Sequence, residues 1–103
     1  AAGYGIRGLW VDGNDVFAVY HATKVAKDLC LNNEGPVIIE AETYRMGPHS
    51  TSDDPTRYRP DSEVEAWREK DPIKRLRSYL LSHNLWDNQK ENELQESLQK
   101  EIT

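Results

Sequence analysis

Apolar and polar positions divide the chain into a first part patterned for both sheet and helix and a second part patterned for helix alone. Leu9, Trp10 and Val11 form a short apolar run closed by Asp12, Gly13 and Asn14, which predicts a strand ending in a turn. From Asp15 onward, Val16, Val19, Tyr20, Thr23, Ala26 and Cys30 recur at steps of three and four, the stripe of a helix packed on one face. Asn14 or Asp15 can cap it, and the run from Asn32 to Pro36 stops it with residues that accept left-handed geometry or forbid continuation. Val37, Ile38 and Ile39 then make a continuous β-branched run, the sign of a strand covered on both faces in a parallel sheet. Strand, helix and strand predict one right-handed βαβ unit.

The second part carries its own start and stop signals. Ser62 to Glu65 fits a capping box opening a short helix through Trp67. Asp71 and Pro72 restart the chain, with Ile73, Leu76 and Leu80 on one face. Residues 82–87 break the pattern, and Asp87 can cap a last helix whose thin stripe is Leu94, Leu98 and Ile102.

Between the two parts lies YRMGPHSTSDDPTRYRP, residues 44–60. Most connections are about 4–6 residues long, and longer ones are usually functional or disordered. This one leaves the carboxyl end of the second strand, the edge at which open α/β sheets bind ligands. His49, Asp53 and Asp54 match no strong metal pattern, since a second histidine is lacking nearby. Ser50, Thr51 and Ser52 beside His49 do not make a triad, which is normally assembled from separate elements. A phosphate-handling loop fits better, with His49, Arg45, Arg57 and Arg59 as donors. The competing reading pairs those arginines with Asp53, Asp54 and Asp61 in bridges that only stiffen the loop. For the arginines the ionic reading is preferred; for His49 the functional one is.

Composition narrows the classes. With 103 residues the chain is one domain at most, or part of a larger one. A formal net charge of −5 argues against a general nucleic-acid binder, which presents a basic face to phosphates. The single cysteine, Cys30, excludes an intrachain disulfide framework and reads as a small buried hydrophobe. No apolar run approaches the ~20 residues of a membrane span, so a soluble protein with no membrane partner is expected. The opening AAGYGIRG does not look like a natural start, which leaves a targeting segment outside the given sequence open. Two strands cannot form an independent sheet covered on both faces. The sequence therefore asks for more strands than it contains, from another chain or from the rest of a larger α/β subunit.

Three stretches, DGNDVFAVYHATKVAKD, EAETYRMGPHSTSDDPTRYR and EVEAWREKDPIKRLRSYLLSHNLWD, in this order resemble the carboxyl-terminal part of the alpha subunit of thiamine-diphosphate-dependent 2-oxoacid dehydrogenases, most closely the branched-chain type. The resemblance covers nearly the whole chain and fades after Asp87. It implies an α/β class, the carboxyl-terminal part of a thiamine-diphosphate-binding fold. Residues 1–45 would be its βαβ unit, 46–61 a functional loop of the phosphorylation type, and 62–103 carboxyl-terminal helices. It further implies oxidative decarboxylation of a 2-oxoacid with acyl transfer to lipoamide, in a heterotetramer with a beta subunit that also meets the lipoyl domain of the acyltransferase core. Thiamine diphosphate and magnesium are the implied cofactors, the metal ligands lying upstream of this stretch, and the stretch alone is expected to be inactive. Residues 11–15, VDGND, are not that metal turn; their expected task is to start the helix.

By the same resemblance His49 is the catalytic and cofactor-contacting residue. Tyr44, Arg45, Asp53, Tyr58 and Arg59 order the loop and help form the lipoyl-domain docking surface, and Ser50 matches a regulatory phosphorylation site. Pro48 stands where mitochondrial branched-chain members have a second histidine, and Pro60 where they have a second phosphorylatable serine. Both departures look bacterial, which implies a cytoplasmic location, with the mitochondrial matrix and a pyruvate-type alpha subunit as alternatives. A non-enzymatic alternative is an assembly module whose helices from Ser62 onward offer Trp67, Tyr79, Leu85 and Trp86 as anchors.

Overall fold

The computed structural model describes residues 1–102; Thr103, the last residue of the helical segment expected over 62–103, lies outside them. The chain divides into two compact units, residues 1–72 and the remainder from Ile73.

In the first unit, β1 (Arg7–Asp12) and β2 (Val37–Glu42) pair in parallel, with Leu9 opposite Ile39 and Val11 opposite Ala41. Helix α1 (Val16–Leu31) joins them and packs on both strands, so the βαβ connectivity and the α/β class agree with the pattern. Side chains alternate across a strand. Leu9, Val11, Val37 and Ile39 are half-buried on one face, whereas Trp10 and Ile38 on the other are 74% and 39% exposed. The expected cover on both faces is thus present on one, the face on which α1 packs.

The packed face of α1 also differs from the expected stripe. Ala26 is buried, and Ala18, Val19, Ala22, Val25 and Leu29 are half-buried. Val16, Tyr20, Thr23 and Cys30 are exposed. Both sets obey a helical period, and the one that packs contains three alanines, whose small side chains let the helix lie close to the sheet. Cys30 is accordingly not the buried hydrophobe the sequence suggested.

The ends of α1 follow local chemistry. The Asp15 carboxylate accepts from the backbone N–H groups of Phe17 and Ala18, a cap worth about 1 kcal/mol. At the other end Glu34 N–H reaches Leu29 O and Asn33 N–H reaches Cys30 O, with Asn33 at φ 60°, a Schellman stop. Gly13 is required by proximity: its N–H donates to Glu42 O at 2.7 Å, and a Cβ there would meet the same oxygen at 2.7 Å. Beside it the buried Asn14 accepts from the Thr43 hydroxyl at 2.7 Å, tying the start of α1 to the end of β2.

Helix α2 (Asp61–Arg68) begins one residue before the expected serine. Pro60, in extended geometry, occupies the cap position, and no side chain caps the helix, so the capping box at 62–65 does not form. Asp61 and Glu63 in its first turn and Arg68 in its last complement the helix dipole instead.

Helix α3 (Pro72–Ser82) has Pro72 as its first residue, as expected. It ends in a second Schellman stop, with Leu85 N–H on Leu80 O, Asn84 N–H on Leu81 O, and Asn84 at φ 56°. Asp87 then caps α4 (Asn88–Ile102) through Lys90 N–H at 2.8 Å. Glu91 joins the two helices: it accepts from the Trp86 indole at 2.8 Å and pairs with Arg77 at 3.4 Å. The indole bond foremost, with Gln95 and Arg77, holds the Glu91 carboxyl below the usual range.

Candidate functional site

The segment after β2 starts from a fixed point. Thr43 is bonded to Asn14, and the next residue, Tyr44, stacks on Trp67 of α2 with ring centroids 5.2 Å apart and planes 11° from parallel. Each ring also carries a cation, Arg59 over Tyr44 at 5.2 Å and Lys70 over Trp67 at 4.6 Å. Arg59 closes the loop on itself. Its guanidinium donates to the carbonyls of Arg45 at 2.6 Å and Met46 at 2.8 Å, with Gly47 at 3.4 Å.

Within that frame Asp53 is the hub. One carboxylate oxygen accepts from His49 N–H at 2.9 Å and from the Tyr58 hydroxyl at 2.5 Å. Arg45 contacts the same histidine twice, at Nδ1 (3.2 Å) and at its carbonyl (3.0 Å). Asp54 does separate work. Its carboxylate caps the short 3₁₀ turn Pro55–Arg57 through Thr56 and pairs with Arg57 at 3.6 Å. The expectation of arginine–aspartate bridges therefore holds for Arg57 with Asp54, while Arg45 and Arg59 spend their donors mainly on carbonyls and an imidazole. Carbonyl oxygens in an irregular segment need donors as much as carboxylates do.

Tyr44, Arg45, His49, Asp53, Tyr58 and Arg59 thus form one connected network. Ser50 joins it through its backbone, its carbonyl accepting from Asp53 N–H at 3.2 Å, while its side chain is exposed with the hydroxyl 3.2 Å from that of Ser52. The stack on Trp67 was not foreseen, and the only cue in the sequence was an aromatic on a helix directly after the loop. A cleft of about 330 Å³ lies beside this stack, lined by Asn14, Tyr44, Trp67 and Asp71 among others, and His49 is not part of it. Tyr44 OH and Arg59 Nε are shielded from solvent without a hydrogen-bond partner among the described residues.

The Tyr58 bond foremost, then the His49 N–H, holds the Asp53 carboxyl below its ordinary value, and the same bond raises the Tyr58 hydroxyl. A carboxyl depressed in the folded loop stabilises it above the unfolded value, about 3.9. That contribution is lost as pH falls through the lower folded value. Carbon-13 titration of Asp53 should accordingly give a midpoint below about 3.9. Tyr58→Phe should raise it; an unmoved midpoint would mean that the hydroxyl bond does not form in solution.

Among the described residues no group of three or more His, Cys, Asp and Glu side chains is arranged to hold a metal ion. The Asp12 carboxylate instead accepts from Asn14 N–H at 2.9 Å, which closes the turn that starts α1. No described helix is long and apolar enough to cross a membrane.

A parallel βαβ unit whose second strand delivers a histidine-bearing, internally bonded loop is what residues 1–72 define. The family described as the dehydrogenase E1 component matches residues 1–103, and the chain belongs to it. It is 50% identical over 92 residues to the mitochondrial 2-oxoisovalerate dehydrogenase subunit alpha of Dictyostelium discoideum, covering 88% of this chain and 21% of that protein. It is 48% identical over 103 residues to the pyruvate dehydrogenase E1 component subunit alpha of Staphylococcus aureus strain Mu50, covering 99% and 28%. The mitochondrial 2-oxoisovalerate dehydrogenase subunit alpha of Mus musculus is 50% identical over 101 residues, covering 97% and 23%. The chain spans between 21% and 28% of the length of these relatives.

Proposed function

We propose that these residues are the carboxyl-terminal part of the alpha subunit of a thiamine-diphosphate-dependent 2-oxoacid dehydrogenase acting on branched-chain 2-oxoacids. Family membership supports the class, and relatives named for 2-oxoisovalerate support the branched-chain substrate. A second reading, a pyruvate dehydrogenase alpha subunit, has the support of a bacterial relative 48% identical over 103 residues. Partners in either case are a beta subunit, completing a heterotetramer, and the lipoyl domain of the acyltransferase core. The bacterial look of Pro48 and Pro60 favours a cytoplasmic location over the mitochondrial matrix.

The observation that carries the reading is His49. It sits in the segment leaving the carboxyl end of a parallel strand, and its backbone is held from both sides by Asp53 and Arg45 while its ring stays exposed. Its Nε2 makes no hydrogen bond among the described residues. An exposed, oriented imidazole with an uncommitted nitrogen fits the edge of a diphosphate or of a developing charge. Thiamine diphosphate, when bound, supplies the electron sink for loss of carbon dioxide. His49 would meet its diphosphate or the group reacting beside it. Tyr44, Arg45, Asp53, Tyr58 and Arg59 would hold the loop in the shape that the lipoyl domain recognises. Magnesium would be held by residues outside this stretch.

The non-catalytic alternative, an assembly module, draws less support. Trp67 is stacked on Tyr44, Trp86 is bonded to Glu91 and Tyr79 is stacked on His83, so of the four anchors three have partners within the chain, and Leu85 is 58% exposed. Isothermal titration of the complete subunit pair with thiamine diphosphate, wild type against His49→Ala, separates the two. Loss of cofactor affinity or of acyl transfer supports the site; unchanged chemistry with weakened association supports the module. Comparing kcat/KM for a branched-chain 2-oxoacid and for pyruvate decides the acyl chain.

Ser50 gives a further test. A glutamate there adds negative charge three and four residues before Asp53 and Asp54, next to the histidine whose N–H bonds Asp53. Ser50→Glu should impair reaction with the lipoyl domain more than decarboxylation followed with an artificial electron acceptor. Equal loss in both assays would place Ser50 in the chemical step.

A further inference from the structure

We propose that Arg45 is a positioning residue for His49, fixing its imidazole as the tautomer with the proton on Nε2, so that the loop presents a hydrogen-bond donor outward. The inference rests on the reading above that His49 faces the cofactor or the reacting group.

A guanidinium has five N–H donors and no acceptor. The contact of Arg45 Nη1 with His49 Nδ1 at 3.2 Å therefore has one polarity: Arg45 donates and Nδ1 accepts with its lone pair. An imidazole accepting at Nδ1 carries its proton on Nε2. The second guanidinium nitrogen donates to the His49 carbonyl at 3.0 Å, so one planar fork grips both the ring and the backbone of a residue four positions away. Asp53 takes the His49 N–H at 2.9 Å. The amide N–H, the carbonyl and Nδ1 are thus all committed inside the loop, and Nε2 is the polar atom left over.

Arg45 is itself fixed, because its carbonyl accepts from Arg59 at 2.6 Å. The chain of contacts runs from Arg59 through the Arg45 backbone to the Arg45 guanidinium and then to the ring. Its product is a neutral donor with a set direction. The acceptors it suits are anionic oxygens, those of a diphosphate or of an oxyanion forming beside it; it would not suit a group that must itself donate. Lysine replaces this arginine only in part, since a single ammonium can donate to Nδ1 but lacks the planar fork that serves ring and carbonyl together.

The test reads the tautomer directly, by nitrogen-15 NMR of histidine-labelled complete two-subunit enzyme without cofactor, with the His49 signal assigned by its loss in His49→Gln. The wild type should show a protonated Nε2 and an unprotonated Nδ1. Arg45→Met, which keeps the length of the side chain without its donors, should show a mixture of tautomers. Turnover and thiamine diphosphate affinity should then fall by up to about twofold, following the fraction of rings left with both the right tautomer and the right direction. Arg45→Lys should fall between the two. An Nδ1-protonated ring in the wild type overturns the proposal without any variant having to fold. An unchanged tautomer in Arg45→Met with lost turnover overturns it as well, while leaving the placement of His49 at the cofactor intact. A changed tautomer with unchanged affinity and turnover overturns the positioning role and, with it, the reading of His49 as the contact residue.

Discussion

Replacing His49 by alanine in the complete two-subunit enzyme is expected to lower turnover by about a hundredfold to a thousandfold, the usual cost of losing one directed hydrogen bond where charge develops. The melting temperature of the cofactor-free protein should hardly change. The ring is exposed, so its removal leaves no cavity, and the loop keeps the two backbone bonds that His49 makes, N–H to Asp53 and carbonyl to Arg45. What the loop forfeits is the Arg45–Nδ1 contact. A role confined to the diphosphate would raise the thiamine diphosphate requirement and be rescued by excess cofactor. A role beside the reacting group would survive that rescue. Near-normal turnover at ordinary cofactor levels would sink both and leave His49 as a linker of Arg45 to Asp53.

The parts of the fold legible in the sequence were those set by local backbone chemistry. Asp15, Asn33, Pro72 and Asp87 act within one turn of themselves, and each does in the structure what its residue type implies. The face of α1 was not legible in the same way. Apolar residues lie on two of its sides, and periodicity alone cannot say which side the sheet takes. The answer lay in volume, because Ala18, Ala22 and Ala26 let the helix approach while Tyr20 on another side stays 71% exposed. The capping box at 62–65 failed for a related reason. Its serine and glutamate are correctly spaced, but Pro60, already extended, takes the cap position and starts α2 at Asp61.

The loop shows the same division. Its polar richness and its place after a parallel strand mark residues 44–60 as the candidate segment, and His49 within them is the residue proposed to act. The pairing of donors with acceptors was not readable, since an arginine can satisfy a carboxylate or a carbonyl equally well on paper. Arg59 bonds backbone carbonyls 12 to 14 positions away, a choice fixed by the path of the chain. The Trp67 stack, 23 residues from Tyr44, depends on where α2 returns and has no sequence spacing to announce it.

That stack is where the largest stability effect should appear. Trp67→Ala removes the ring against which Tyr44 lies at 5.2 Å and the one over which Lys70 sits at 4.6 Å. An aromatic pair contributes about 0.5–1.5 kcal/mol beyond area burial, and an exposed cation–π contact about 0.5–1 kcal/mol. With the burial of a half-exposed indole added, the expected loss is roughly 2–3 kcal/mol. Trp67→Phe should restore most of it, since a phenyl ring can still stack. The loss should spread into the loop: Tyr44 also carries Arg59, whose carbonyl bonds set the backbone of Arg45. Protease cleavage within residues 46–56 should therefore accelerate in Trp67→Ala and stay near the wild-type rate in Trp67→Phe. The decisive measurement is a double-mutant cycle of Tyr44→Leu with Trp67→Leu on thermal or denaturant unfolding, where a coupling of about 0.5–1.5 kcal/mol is expected. Coupling near zero, together with weakened subunit association in Trp67→Leu, would reassign Trp67 from internal support of the loop to an anchor for a partner chain.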